Sequence, residues 1–107
     1  MTLVNIENKS KFDDLLKDNK YVIVKFSAEW CGPCKRIHPL YEKLSLEQSN
    51  SHICFGVVDV DETRDVCDTC IIEAMPTFVL FKDGDEITRL EGANENKIRE
   101  MINSCNN

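Results

Sequence analysis

Cys31 and Cys34 stand three positions apart, with Gly32 and Pro33 between them and Trp30 just ahead. Two thiols at that spacing meet when a helical turn follows the first, so they can close a disulfide and open it again. Zinc ribbons and chance also supply isolated CxxC strings, so the flanks decide. Here a continuous apolar run, 22–26, leads in, and an amphipathic helical pattern leads out. A helix that begins at Cys31 aims unpaired backbone N–H groups and the positive end of its dipole at that sulfur, favouring thiolate, the attacking species, over thiol. Pro33 suits the first turn, where a missing N–H costs nothing, and Gly32 leaves the approach open to a bulky substrate. The chemistry expected is two thiol–disulfide exchanges. Cys31 attacks a disulfide and forms a mixed disulfide, and Cys34 then attacks Cys31 and releases the reduced product.

A second CxxC, Cys67-Asp68-Thr69-Cys70, raises a four-cysteine zinc site as a rival. Its separation from the first pair exceeds zinc-ribbon spacing, and Gly-Pro inside the first pair suits redox better, so no metal is expected. Two readings of Cys67 and Cys70 stay open: small residues packing one helical face, or a regulatory pair that oxidises under stress. Cys54 falls in an apolar strand and reads as core, and Cys105 as a packed thiol. His38 and His52 have no ligand spacing, and His38 reads as a helix-surface residue. Asp59 and Asp61 end a strand, where one can cap the next helix and Asp61 is the better placed to face a partner.

These side chains need elements to hold them. The pattern predicts a short strand over 3–6, a helix opened by Ser10 with Phe12, Leu15 and Leu16 at helical spacing, and a buried strand over 22–26 broken only by Lys25. After the CxxC, Ile37, Leu40, Tyr41 and Leu44 mark one face of a long helix that Pro39 should kink. A strand over 53–60 and a short helix over 63–70 follow. Strands over 77–81 and 86–90 flank Asp83-Gly84, a hairpin signal, and Asn94 caps a last helix whose Ile98, Met101, Ile102 and Cys105 share a face. The order β-α-β-α-β-α-β-β-α gives an α/β fold: a central mixed sheet, parallel strands first and an antiparallel hairpin last, with helices on both faces.

The 107 residues suffice for one domain, 1–107, with one modest core. No apolar run is long enough to cross a bilayer. The opening Met1-Thr2-Leu3-Val4-Asn5 shows no basic-then-apolar leader, so a cytoplasmic protein is expected. A net charge of −6 and a pI near 4.8 argue against nucleic acid and anionic membranes as partners. Six cysteines in such a chain read as free, catalytic or sensing thiols rather than as a disulfide framework.

With that element order and the string Trp30-Cys31-Gly32-Pro33-Cys34, the chain resembles the thioredoxin family over nearly its whole length. Val24-Lys25-Phe26-Ser27-Ala28-Glu29-Trp30, Val58-Asp59-Val60-Asp61, Ala74-Met75-Pro76-Thr77-Phe78, Phe81-Lys82-Asp83-Gly84 and Gly92-Ala93 resemble further family segments in the right order. The resemblance implies a protein-disulfide reductase active in cell redox homeostasis, with no bound cofactor. Electrons would come from NADPH through a thioredoxin reductase, and the partners would be that reductase and disulfide-containing proteins. It implies a cis Met75-Pro76 bond facing the CxxC, where the backbone of Met75 pairs with an extended substrate. Trp30, Gly32, Pro33, Met75, Pro76, Gly92 and Ala93 would form a flat docking surface beside Cys31. A monomer is expected, with a thiol-linked dimer as the alternative. The rival function is a redox-dependent binding module with little turnover.

One position departs from the family. Six residues before the first cysteine, where the family carries a buried Asp that handles the proton of the second thiol, this chain has Lys25. Either the ammonium bends to water or a carboxylate and only the stem is buried, or it acts on Cys34 directly.

Overall fold

The computed structural model describes residues 3–106; Met1 and Thr2, where the leader reading begins, and Asn107 lie outside them. The elements run β1 (Leu3–Asn5), α1 (Lys9–Asp18), β2 (Tyr21–Ser27), α2 (Gly32–Leu46), β3 (Ile53–Asp59), α3 (Arg64–Cys70), β4 (Thr77–Lys82), β5 (Asp85–Glu91) and α4 (Glu95–Asn103), in the predicted order. Single 3-10 turns follow α2 and α4. The five strands form one sheet in the order β1-β3-β2-β4-β5. β1 and β2 flank β3 in parallel, and β4 and β5 add antiparallel beyond β2.

Strand alternation divides the core in two. Ile23, Phe55, Phe78 and Leu80 point to one face, where Ile37, Tyr41 and Leu44 of α2 and Ile98, Met101 and Ile102 of α4 cover them. Val22, Val24, Phe26, Val58, Val79 and Phe81 point to the other, under Phe12 of α1 and Val66 and Cys70 of α3. Lys25 shares the parity of Ile23 and therefore lies on the α2 face. The Tyr41 hydroxyl reaches the carbonyls of Ile23, at 3.0 Å, and Gly56, at 2.9 Å, pinning α2 across β2 and β3.

Local chemistry sets the ends. Asn8, not Ser10, caps α1: its backbone is extended and its side-chain oxygen accepts from Lys11 N–H at 2.8 Å, starting the helix at Lys9. Asn94 caps α4 the same way, accepting from Lys97 N–H at 3.0 Å. The hairpin turn has Asp83 at φ 52° and Gly84 at φ 86°, the paired positive angles that a tight two-residue hairpin demands. β3 ends at Asp59, but Val60 N–H still donates to the Ser27 carbonyl at 2.9 Å, so the last predicted residue keeps its sheet contact. Pro39 sits inside α2 on its exposed side, removing one donor from the ladder.

Candidate active site

The carboxyl end of β2 delivers the chain through Ala28 to Cys31, which occupies the N-cap position of α2. Its backbone is extended, and its sulfur accepts from Cys34 N–H at 3.2 Å, a role usually filled by Ser or Asp. Pro33 stands in the first turn, as its missing donor allows. Cys31 and Cys34 are joined in a disulfide with Cα atoms 5.3 Å apart. Cys34 is 2% exposed and Cys31 5%, so the outer sulfur offers only a small window. Trp30, Gly32 and Pro33 around it are exposed.

The Met75-Pro76 bond is cis, and Met75 packs on the small cluster of Ala28, Cys31 and Cys34. Gly92 N–H donates to the Pro76 carbonyl at 2.8 Å, tying the end of β5 to this loop. Gly92 holds φ at 104°, which a side chain would strain, although nothing lies within 4 Å of where its Cβ would be. Met75, Gly92 and Ala93 are half-buried and Pro76 is buried, so the predicted docking residues differ in what they can show a partner. Trp30 is 67% exposed, yet its indole N–H donates to Asp61 Oδ2 at 2.9 Å, which fixes the ring. Asp59 caps the turn after β3, its Oδ1 accepting from Asp61 N–H at 2.8 Å, which in turn sets Asp61.

Beneath Cys34, the reading that bends the Lys25 ammonium to water or a carboxylate needs correction. Lys25 is 2% exposed, and its ammonium meets no carboxylate among the described residues. Its Nζ donates to the Cys34 carbonyl at 3.2 Å and lies 2.9 Å from His38 Nδ1. Burial pushes Lys25 down from 10.5 to about 8. His38, read as a surface residue, is half-buried in this contact. Burial first, then the Lys25 charge, lowers its pKa, while Glu42 acts the other way. The available signal was spacing: His38 follows Cys34 by four on a helix, hence shares its face, and Lys25 faces α2 by strand parity.

The second cysteine pair lies elsewhere. Cys70 is buried and Cys67 half-buried against the α1/α3 core, with their thiols pushed up to about 11 by burial and by nearby carboxylates. Raised values of this kind are those of packed thiols. Cys105 is buried, as predicted, whereas Cys54 is half-buried rather than enclosed. His52 Nε2–H donates to the Cys105 carbonyl at 2.9 Å, and the ring packs edge-on against Tyr21, both structural contacts. Among the described residues no group of three or more His, Cys, Asp or Glu could hold a metal ion, and no helix is long and apolar enough to cross a membrane.

The thioredoxin family model matches residues 3–104. Thioredoxin from Ictalurus punctatus is 43% identical over 103 residues, covering 94% of this chain and 96% of that protein. Thioredoxin from Homo sapiens is 44% identical over 100 residues, covering 92% and 93%. Among solved structures, Malassezia sympodialis thioredoxin superimposes with a TM-score of 0.93 at 36% identity, covering all of this chain and 92% of that one. Plasmodium falciparum thioredoxin does so with a TM-score of 0.89 at 40% identity, covering 94% and 97%.

Proposed function

The chain belongs to the thioredoxin family and is a protein-disulfide oxidoreductase of that type, and from that premise we propose how its residues divide the work. Cys31 is the nucleophile and Cys34 the resolving thiol. The observation that carries this assignment is the position of the Cys31 sulfur at the N-cap of α2, hydrogen-bonded by Cys34 N–H at 3.2 Å. A helix N-terminus stabilises a thiolate there, and Cys34, at 2% exposure, is enclosed beside Cys31.

The exchange conserves atoms and electrons. The Cys31 sulfur bonds to one substrate sulfur as the substrate disulfide breaks, and the departing thiolate takes a proton. Cys34 then loses its proton, bonds to Cys31, and displaces the second substrate sulfur. Two electrons have moved from the dithiol to the substrate. Thioredoxins act on disulfides without a bound cofactor and are reduced by a thioredoxin reductase. NADPH is the source we assign to those electrons.

Trp30, Gly32, Pro33, Met75, Pro76, Gly92 and Ala93 form the docking surface for protein disulfides. Its support is the exposed Trp30 on one side of the sulfur, and the Met75 loop on the other, tied to Gly92. Lys25 tunes Cys34 from below. The chain works as one domain, as a monomer, in a reducing compartment such as the cytoplasm. Four cysteines, Cys54, Cys67, Cys70 and Cys105, remain unpaired and at least half-buried, which supports both the compartment and the monomer.

Insulin-disulfide reduction, driven first by dithiothreitol and then by NADPH with a thioredoxin reductase, tests the reading. Turnover above background in both is expected. Its absence in both would leave a binding module that holds partners without reducing them.

A further inference from the structure

His38 belongs to no part of the exchange described so far, yet it makes the closest polar contact of the buried lysine. Lys25 Nζ is held between two acceptors, the Cys34 carbonyl at 3.2 Å and His38 Nδ1 at 2.9 Å. A contact of 2.9 Å between an amine and an imidazole nitrogen requires that one hydrogen sit between them. The two groups therefore share one hydrogen bond, and the same Nζ also reaches the backbone carbonyl of the residue that must lose a proton.

The site has an outlet. Lys25, Ala28, Cys34 and His38 line a common cleft of about 500 Å³ that opens to solvent. Its charged walls are Glu29 and Lys35 beside the disulfide and Asp59 and Glu62 from the end of β3, while Glu42 faces His38 along α2. Glu42 favours a transient positive charge on the imidazole, and the Lys25 ammonium opposes it.

We propose that Lys25 and His38 act as a single proton-holding pair for Cys34, with His38 the positioning residue that aims the Lys25 amine and relays its proton to the cleft. The idea rests on Cys34 being the resolving thiol. In the mixed disulfide, the Lys25 ammonium first gives one N–H proton to His38 Nδ1, which leaves an electron pair on Nζ, and the Cys34 S–H bond then breaks as its proton passes to that pair. The Cys34 electron pair forms the bond to Cys31, and the bond from Cys31 to the substrate breaks. The departing sulfur keeps that pair and is protonated through the cleft, which restores the single shared proton. The new thiolate charge makes the second proton on the pair tolerable at that moment.

His38 is lowered by its burial and by Lys25, so it is neutral and able to accept near pH 7. Lys25, at about 8, sits close enough to neutrality to exchange protons. Neither group would suit the role in the exposed positions that their residue types usually occupy.

The test is stopped-flow mixing of the reduced chain with an aromatic disulfide that releases one coloured thiolate at each exchange. The first phase reports attack by Cys31 and the second reports resolution by Cys34. His38→Gln keeps a hydrogen-bonding group but cannot titrate. It should leave the first phase unchanged and slow the second by about tenfold at pH 7, less than a full general base supplies because Lys25 remains. The second phase of the unmodified chain should also fall below pH 6.5 with an inflexion that the variant lacks. Equal second phases for both chains from pH 5.5 to 9, an inflexion retained in the variant, or the same slowing at every pH would overturn the relay. A missing second phase in the unmodified chain would instead overturn the assignment of Cys34.

Discussion

The backbone N–H of Cys34 points at the sulfur of Cys31 from 3.2 Å, so the residue that resolves the reaction also steadies the atom that begins it. The same bond that caps α2 remains available when the disulfide opens, and then it serves the thiolate. Structure and chemistry here share one hydrogen bond.

Thiol labelling separates this cysteine from the rest. Alkylation of the reduced chain at pH 7.5 should modify Cys31 first, at a rate whose inflexion lies below that of an ordinary thiol. Cys67 and Cys70, near 11, would be thiolate in well under about 1% of molecules at that pH and should remain unlabelled. Peptide mapping by mass spectrometry reads the order. Replacing Cys70 by Ala should leave disulfide reduction unchanged and lower stability by about 1 kcal/mol through lost packing.

Trp30 is expected to serve docking through its fixed orientation. Asp61→Ala removes the acceptor of the indole N–H, so the ring gains freedom that a substrate must quench. A rise of about threefold in KM for a protein disulfide is expected, the size of one solvent-accessible hydrogen bond, with kcat nearly unchanged. Steady-state kinetics with the purified variant would check it. An equal fall in kcat would place Asp61 in the exchange itself.

Lys25 makes stability depend on pH in the same direction as a paired carboxylate does, but in an alkaline window. Its folded value, about 8, lies below the unfolded 10.5, so between them the unfolded chain binds more protons. Stability from this group therefore rises as pH climbs from about 8 to 10.5, and below 8 the buried ammonium is a constant cost. Lys25→Met should raise unfolding free energy at pH 7 by about 1–3 kcal/mol, with the gain shrinking toward pH 10. Urea denaturation at the two pH values measures it.

Tyr41 offers a purely structural control. Tyr41→Phe leaves the Ile23 and Gly56 carbonyls without the hydroxyl that joins them to α2. A loss of about 1–2 kcal/mol is expected, with activity retained at 25 °C.

Much of the scaffold was legible because local signals agreed with the global fold. Asp83-Gly84 named its turn, and the strand read over 77–81 formed, with Phe78 and Leu80 on one face and Val79 and Phe81 on the other. The start of α1 misled, since Asn8 and Ser10 are both good caps and only backbone geometry chooses between them. The dithiol was legible from spacing, but the Lys25–His38 contact was not. It joins a strand to a helix through a meeting that periodicity describes only one element at a time. A lysine in a strand and a histidine on a helix each favour water when read singly, and their burial depends on finding one another.

The most direct measurement uses Cys34→Ser and a protein disulfide substrate. Without the resolving thiol, exchange should stop at a covalent complex, and mass spectrometry should find the substrate sulfur bonded to Cys31 in every trapped molecule. The complex should release substrate only on addition of an outside thiol, and Cys31→Ser should form none. A complex linked through any other cysteine, or full turnover by either variant, would contradict the assignment of Cys31 as nucleophile and Cys34 as its resolver.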